Sequence, residues 1–247
     1  MLKLRNAPIV EAVLDVDCHL RSDFNLAAVE AQAFERFCDR YPKSRKQFLQ
    51  EFRIEANAAS PSGLTARQAI QALQFLQDDE QQLVQVRAQG FSFNRLAPYS
   101  TLDDYLPEIE RAWRLYVELA APVETRVVRL RYINRMPLPL EAGEIKLDEF
   151  LKIGPRVADP ETLKLAGFLI QQNAIEKGTE HEINVVLTAQ NPENGVLPVI
   201  LDITAASPLR EEPGNWPVVR QTVVSLRRLK NRLFQSTLTD KCLQLFQ

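Results

Sequence analysis

The chain is poor in the residues that carry most recognisable chemistry. Its 247 residues include two histidines, His19 and His181, and three cysteines, Cys18, Cys38 and Cys242. An odd number of widely spaced cysteines makes no disulfide framework and no zinc signature, which points to a reducing cytoplasm. Asp17, Cys18 and His19 are adjacent but alternate along a strand, and His181 lies far off, so no metal is expected. A Ser-His-Asp triad would have to use one of those two histidines, and no G-x-S-x-G elbow is present. The eight glycines form neither G-x-x-x-x-G-K-[ST] nor G-x-G-x-x-G, so neither nucleotide loop is supported and no cofactor is expected.

An excess of one charge is also missing. Thirty Lys and Arg against 32 Asp and Glu leave a formal charge of −2, which gives no bulk attraction for nucleic acid or for an anionic membrane. No run reaches the roughly 18 apolar residues of a membrane span. The N-terminus meets Glu11 and Asp15 where a signal peptide would need an apolar core. The expectation is a soluble cytoplasmic protein. Apolar residues at 45% and charged residues at 25% match an ordinary globular chain with a real core.

What is present is periodic. Residues 9–20 alternate, with Val10, Ala12, Leu14 and Val16 facing one way and Glu11, Asp15 and Asp17 mostly the other, which predicts a half-buried strand. Asn25 caps a helix ending before Pro42. Three strands are expected at 48–56, 69–77 and 83–93, with turns at 61–63 and 78–80. Thr101-Leu102-Asp103-Asp104 resembles a capping box, and Leu102, Tyr105, Leu106, Ile109, Trp113, Tyr116 and Val117 form one helical stripe behind it.

The second half repeats the plan. A strand at 125–135 leads to a helical segment at 147–151, strands at 163–174, 181–189 and 196–204, and a final helix from Asn215 towards Phe234. Residues 143–160 read as a long connection, not a domain boundary. The expected fold class is α+β, a single domain 1–247 built of two similar halves, about 1–122 and 123–247. Each half would be strand, helix, three strands and long helix. An antiparallel sheet would carry the long helices on one face and leave an open polar face.

Candidate binding residues fall on that open face. Arg129, Arg131 and Arg135 share a side of one strand; Arg87, Gln85 and Gln89 share a side of another; Glu11 and Asp15 come from the first strand. Guanidinium forks there would take a carboxylate, a phosphate or an acidic peptide. Alternatively, cross-strand Arg–carboxylate pairs simply solvate the face. Asn94-Arg95 and Asn134-Arg135 fall at expected strand ends, where asparagine commonly bonds local backbone. Arg220, Arg227, Arg228, Lys230 and Arg232 make the last helix basic, which reads as a solvated face ahead of a phosphate-binding one.

Four blocks carry a family resemblance: Asn6-Ala7-Pro8-Ile9-Val10-Glu11-Ala12-Val13; Phe93-Asn94-Arg95-Leu96-Ala97-Pro98-Tyr99; Leu130-Arg131-Tyr132-Ile133-Asn134-Arg135; and Leu229-Lys230-Asn231-Arg232-Leu233-Phe234 with Leu238-Thr239. In this order they resemble a sporadically distributed prokaryotic family of uncharacterised proteins of about this length. The resemblance implies a bacterial or archaeal cytoplasmic protein and supplies no catalytic residues. The functional expectation is a non-enzymatic binding protein. It would use Arg87, Arg129, Arg131, Arg135, Glu11 and Asp15 to hold a protein or an acidic small molecule. The alternatives are a hydrolase-like enzyme with a carboxylate and arginine site between the halves, and nucleic-acid binding through the C-terminal helix. Nucleic acid and membrane are the less expected partners, and the oligomeric state is left open.

Overall fold

Two central strands set the architecture by alternating dry and wet side chains. In the computed structural model, which describes residues 4–55, 63–159, 161–163 and 165–247, β1 (Ile9–His19) lies between β5 (Gly90–Leu96) and β6 (Glu124–Pro139). All its pairings are antiparallel. Leu14 faces Phe93 on one side and Leu130 on the other, so the buried positions of three strands coincide. The remaining strands are β2 (Lys43–Glu55), β3 (Gly63–Leu76), β4 (Gln82–Arg87), β7 (Leu169–Ile175), β8 (Glu182–Ala189) and β9 (Val196–Glu211). Together they make one nine-stranded open sheet in the order β2-β3-β4-β5-β1-β6-β9-β8-β7.

Four helices pack on this sheet: α1 (Leu26–Phe37), α2 (Leu102–Ala120), α3 (Trp216–Thr237) and the short α4 (Asp240–Gln244). Their buried side chains join one cluster with Leu14, Val16, Phe91, Leu130, Tyr132 and Ile203. Complete burial of each such side chain contributes about 1.5–3 kcal/mol. Asn25 caps α1 by accepting from the Ala27 amide at 2.9 Å. Thr101 and Asp104 form a full capping box, so aspartate serves where glutamate is usual. Pro107 falls in the second turn of α2, and the helix runs on through it.

Several sequence expectations need correction. Residues 83–93 are a hairpin, β4 and β5, joined through Ala88 and Gln89. Gln89 is therefore a turn residue, and its carbonyl accepts from the Cys18 amide at 2.9 Å. The turn depends on Gly90, whose φ is +152° and whose missing Cβ would lie 2.1 Å from the Val16 carbonyl oxygen. β7 begins at Leu169, six residues later than expected, while β9 runs seven residues past Thr204 and follows β6 through Pro208. The helical segment at 147–151 is a single 3-10 turn, Leu147–Glu149. Most of the turn expected at 61–63 lies outside the described residues, as do Ala56 and Pro160. Among the described residues no helix is long and apolar enough to cross a membrane.

Gly90→Ala is expected to destabilise the fold by about 2–4 kcal/mol, because both the backbone angle and the Val16 contact oppose a side chain. Chemical denaturation checks this, and an unchanged midpoint would contradict it.

Candidate functional site

The open face brings together most of the residues picked from the sequence. Arg87 Nη2 donates to Asp17 Oδ1 at 2.7 Å and lies 3.7 Å from Asp15 Oδ1. Arg129 donates to the other Asp17 oxygen, and Ser92 Oγ donates to Asp15. Glu11 accepts from Asn94 Nδ2 at 2.8 Å; Asn94 in turn accepts from Gln85, and Gln85 from Gln74. Arg131 grips Asp202 on β9 through Nε, at 3.0 Å to both oxygens, and through Nη2 at 2.5 Å. Arg135 is directed elsewhere, to Gln190 at 3.1 Å and to Glu193, both in the connection between β8 and β9.

Burial would raise the Asp17 carboxyl, yet the hydrogen bonds from Arg129 and Arg87 outweigh it and hold the group below its usual value. Three carboxylates, Asp15, Asp17 and Asp202, therefore meet three guanidiniums, Arg87, Arg129 and Arg131, and every one of those arginines is paired, while Glu11 bonds Asn94 instead. Sequence reasoning left Asp17, Ser92, Asn94 and Asp202 out of this set. Alternation along β1 already put Asp17 beside Asp15, whereas Asp202 becomes a partner only through the β6–β9 register.

The two Asn-Arg pairs do not form turns. Asn94 sits within β5 and bonds side chains on neighbouring strands, while Asn134 sits within β6, buried, donating to the Leu201 carbonyl at 2.9 Å. Arg95 lies on the helix side, 5.4 Å from the Tyr105 ring centroid.

A second site was not foreseen. A cavity of about 410 Å3 opens on the helix side of the sheet. Its walls are Leu4, Pro8 and Ile9 before and at the start of β1; Tyr99 to Asp103 at the opening of α2; Tyr132 and Asn134 on β6; and Arg227, Lys230, Asn231 and Phe234 on α3. All four of the sequence blocks singled out above contribute to it. Its size suits a small organic molecule.

Lys230 is the exceptional member. It is 7% exposed, because it stands four residues after Leu226 and four before Phe234, on the apolar stripe of α3. Its Nζ lies 3.7 Å from the centroid of the Tyr132 ring, whose face attracts the charged form, and no hydrogen-bond acceptor or carboxylate meets it among the described residues. Loss of water pulls the amine down to about 7, and repulsion from Arg227 acts in the same direction. Arg227 is itself held by Asp103 at 2.8 Å, while its Nε, like Arg87 Nε, is buried without an acceptor. The Tyr99 and Tyr132 hydroxyls bond each other at 2.8 Å on the same wall. Burial raises Tyr132 to about 12, so its hydroxyl stays protonated near neutrality.

The expected solvated basic row on α3 is thus only partly right. Arg220 and Arg228 are exposed and Arg232 pairs with Glu176, but Arg227 is largely covered and Lys230 points to the core.

Two stability measurements follow. Asp17→Asn strands two guanidiniums and is expected to cost about 1–3 kcal/mol at neutral pH. Because the folded carboxyl is depressed, the wild-type advantage is full above pH 3.8 and fades as pH falls below it. Lys230→Met is expected to do the reverse and stabilise the protein by roughly 1–4 kcal/mol below pH 7. Between about 7 and 10.5 the unfolded chain holds a proton that the folded chain has released, so wild-type stability rises with pH there and the gain from methionine shrinks. Melting curves across pH check both. A Lys230→Met protein that is less stable at every pH would show that the amine has a partner.

Comparison with protein-family models, with curated proteins and with solved structures finds no match, so what the chain does has to be read from its own residues.

Proposed function

We propose that the protein is a non-enzymatic binding protein for a small acidic ligand, and that the ligand occupies the cavity walled by Lys230, Tyr132 and the opening of α2. One observation carries this reading: the Lys230 residue is nine-tenths buried at the cavity wall, and no acceptor among the described residues meets its amine. A buried cation without an acceptor costs several kcal/mol. Such a cost persists in a fold where something outside the chain completes the interaction. The charged groups on the wall are Lys230, Arg227 and the largely exposed Asp103, so the local balance is positive. Leu4, Ile9 and Phe234 supply apolar surface for the remainder of the ligand.

The sheet face is the weaker candidate for an acidic ligand. An incoming anion there would have to displace Asp17 or Asp202 from arginines they already hold. The hydrolase-like alternative needs a cleft containing Glu11 and Asp15, and neither lines the cavity. Nucleic-acid binding by α3 loses support because its cations diverge among core, cavity and ion pairs instead of forming one row.

Two further points support the cavity. The blocks that carry the family resemblance meet there. Outward from β1 the sheet runs β5, β4, β3, β2, and outward from β6 it runs β9, β8, β7. We read this order as an internal duplication with one extra strand in the first half and α2 and α3 as equivalent helices. On that reading a single domain of two halves binds its ligand where the halves meet.

Benzoate, a carboxylate on an apolar ring, is the test ligand. At pH 8 the Lys230 amine is mostly neutral, so binding the anion is expected to draw in nearly one proton, measured by calorimetry in buffers of different ionisation enthalpy. Lys230→Met should weaken binding at least about tenfold. No binding at millimolar benzoate, or binding unchanged in Lys230→Met, would contradict the proposal.

A further inference from the structure

Resting on the cavity as the ligand site, we propose that Lys230 forms a reversible imine with a carbonyl group of the ligand, which places that ligand among the aldehyde and keto acids. An amine becomes a nucleophile when its surroundings favour the unprotonated form. The surroundings of Lys230 do so in three ways: it stands on the buried α3 stripe, the like-signed Arg227 repels its charged form, and no carboxylate holds it as ammonium among the described residues. At a value of about 7, near half of the molecules carry a neutral amine at neutral pH. The cavity leaves room for the carbonyl compound beside it.

The chemistry balances without any redox partner. The Lys230 nitrogen adds to the carbonyl carbon and gives a carbinolamine. The carbinolamine expels the former carbonyl oxygen as water, which carries away both amine protons, and a C=N bond remains. The linked Tyr99 and Tyr132 hydroxyls, protonated near neutrality and on the same wall, provide a donor for the departing oxygen. Arg227, permanently charged, faces the same cavity and suits the acid group of the ligand. It is held through one nitrogen by the exposed Asp103, a looser hold than Asp17 and Asp202 exert on the sheet face. The two ends of a keto or aldehyde acid thus match two different cations, one fixed in charge and one able to lose its proton.

The test uses 4-carboxybenzaldehyde on the whole chain at pH 7, with sodium cyanoborohydride to reduce any imine to a secondary amine. Intact mass and peptide mapping then locate the adduct. The sequence holds nine lysines. An ordinary lysine is neutral in only about 0.04% of molecules at pH 7 and a less basic amine is also a weaker nucleophile, so Lys230 is expected to label at least about tenfold faster than the other eight. Peptide mapping separates it from the terminal amine. Benzoate should slow the labelling by competition, and Lys230→Met should take up no adduct at this position while remaining folded. If benzoate binds but Lys230 is not labelled, the imine is wrong and the binding site stands. If benzoate does not bind and Lys230 is not labelled, both readings fall. Labelling spread evenly over the lysines would also overturn the inference.

Discussion

The seam between β1 and β6 is the constraint from which the rest of the structure follows. Leu14 against Leu130 and Val16 against Val128 fix which face of the whole sheet is dry. A slip of one residue would turn Glu11, Asp15 and Asp17 into the core, so the register is strongly specified. Once it is set, Arg129 and Arg131 of β6 must stand on the wet face. There they meet the acids of β1 on one side and Asp202 of β9 on the other. The polar array follows from register, and its members neutralise one another.

The dry face shows the opposite economy. Helix α3 buries Val219, Val223, Leu226 and Phe234, and a lysine occupies the stripe where another apolar residue would fit. The ring of Tyr132 lies against its Nζ and supplies some attraction, but an aromatic face replaces only part of what water gave the ammonium. The chain therefore carries a local instability at the wall of this cavity. The open face pairs its arginines with carboxylates, whereas Lys230 at the cavity wall meets no carboxylate among the described residues, and this contrast is why we propose the cavity as the ligand site. On the proposed reading, stability and binding pull in opposite directions at this one residue.

Much of the fold was legible in the sequence. The half-buried strand at Ile9, the Asn25 cap, the Thr101 capping box and the two long helices all come from local patterns that tertiary contacts reinforce. The β4–β5 hairpin was hidden because alternation continues across a two-residue turn with no Asn-Gly or Asp-Gly, leaving Gly90 as the lone signal. The strand expected at 196–204 continues to Glu211 because β6 pairs with it through Pro208, a long-range contact that the local pattern does not carry. The candidate site divided in the same way. Facing directions within strands predicted Arg87, Arg129 and Arg131 on one surface with Glu11 and Asp15. Their real partners depended on register, which single-strand patterns do not carry. Lys230 was missed for a different reason: it was grouped with its basic neighbours in sequence, although its spacing from Leu226 and Phe234 placed it on the apolar stripe.

The most direct check is the titration of Lys230 itself, followed by NMR of its side-chain 13Cε resonance and assigned with Lys230→Met. The account predicts a midpoint near pH 7, moving upward when an acidic ligand such as benzoate fills the cavity. A midpoint near the ordinary 10.5, unmoved by ligand, would mean that the amine is solvated or paired and that the cavity is not the site.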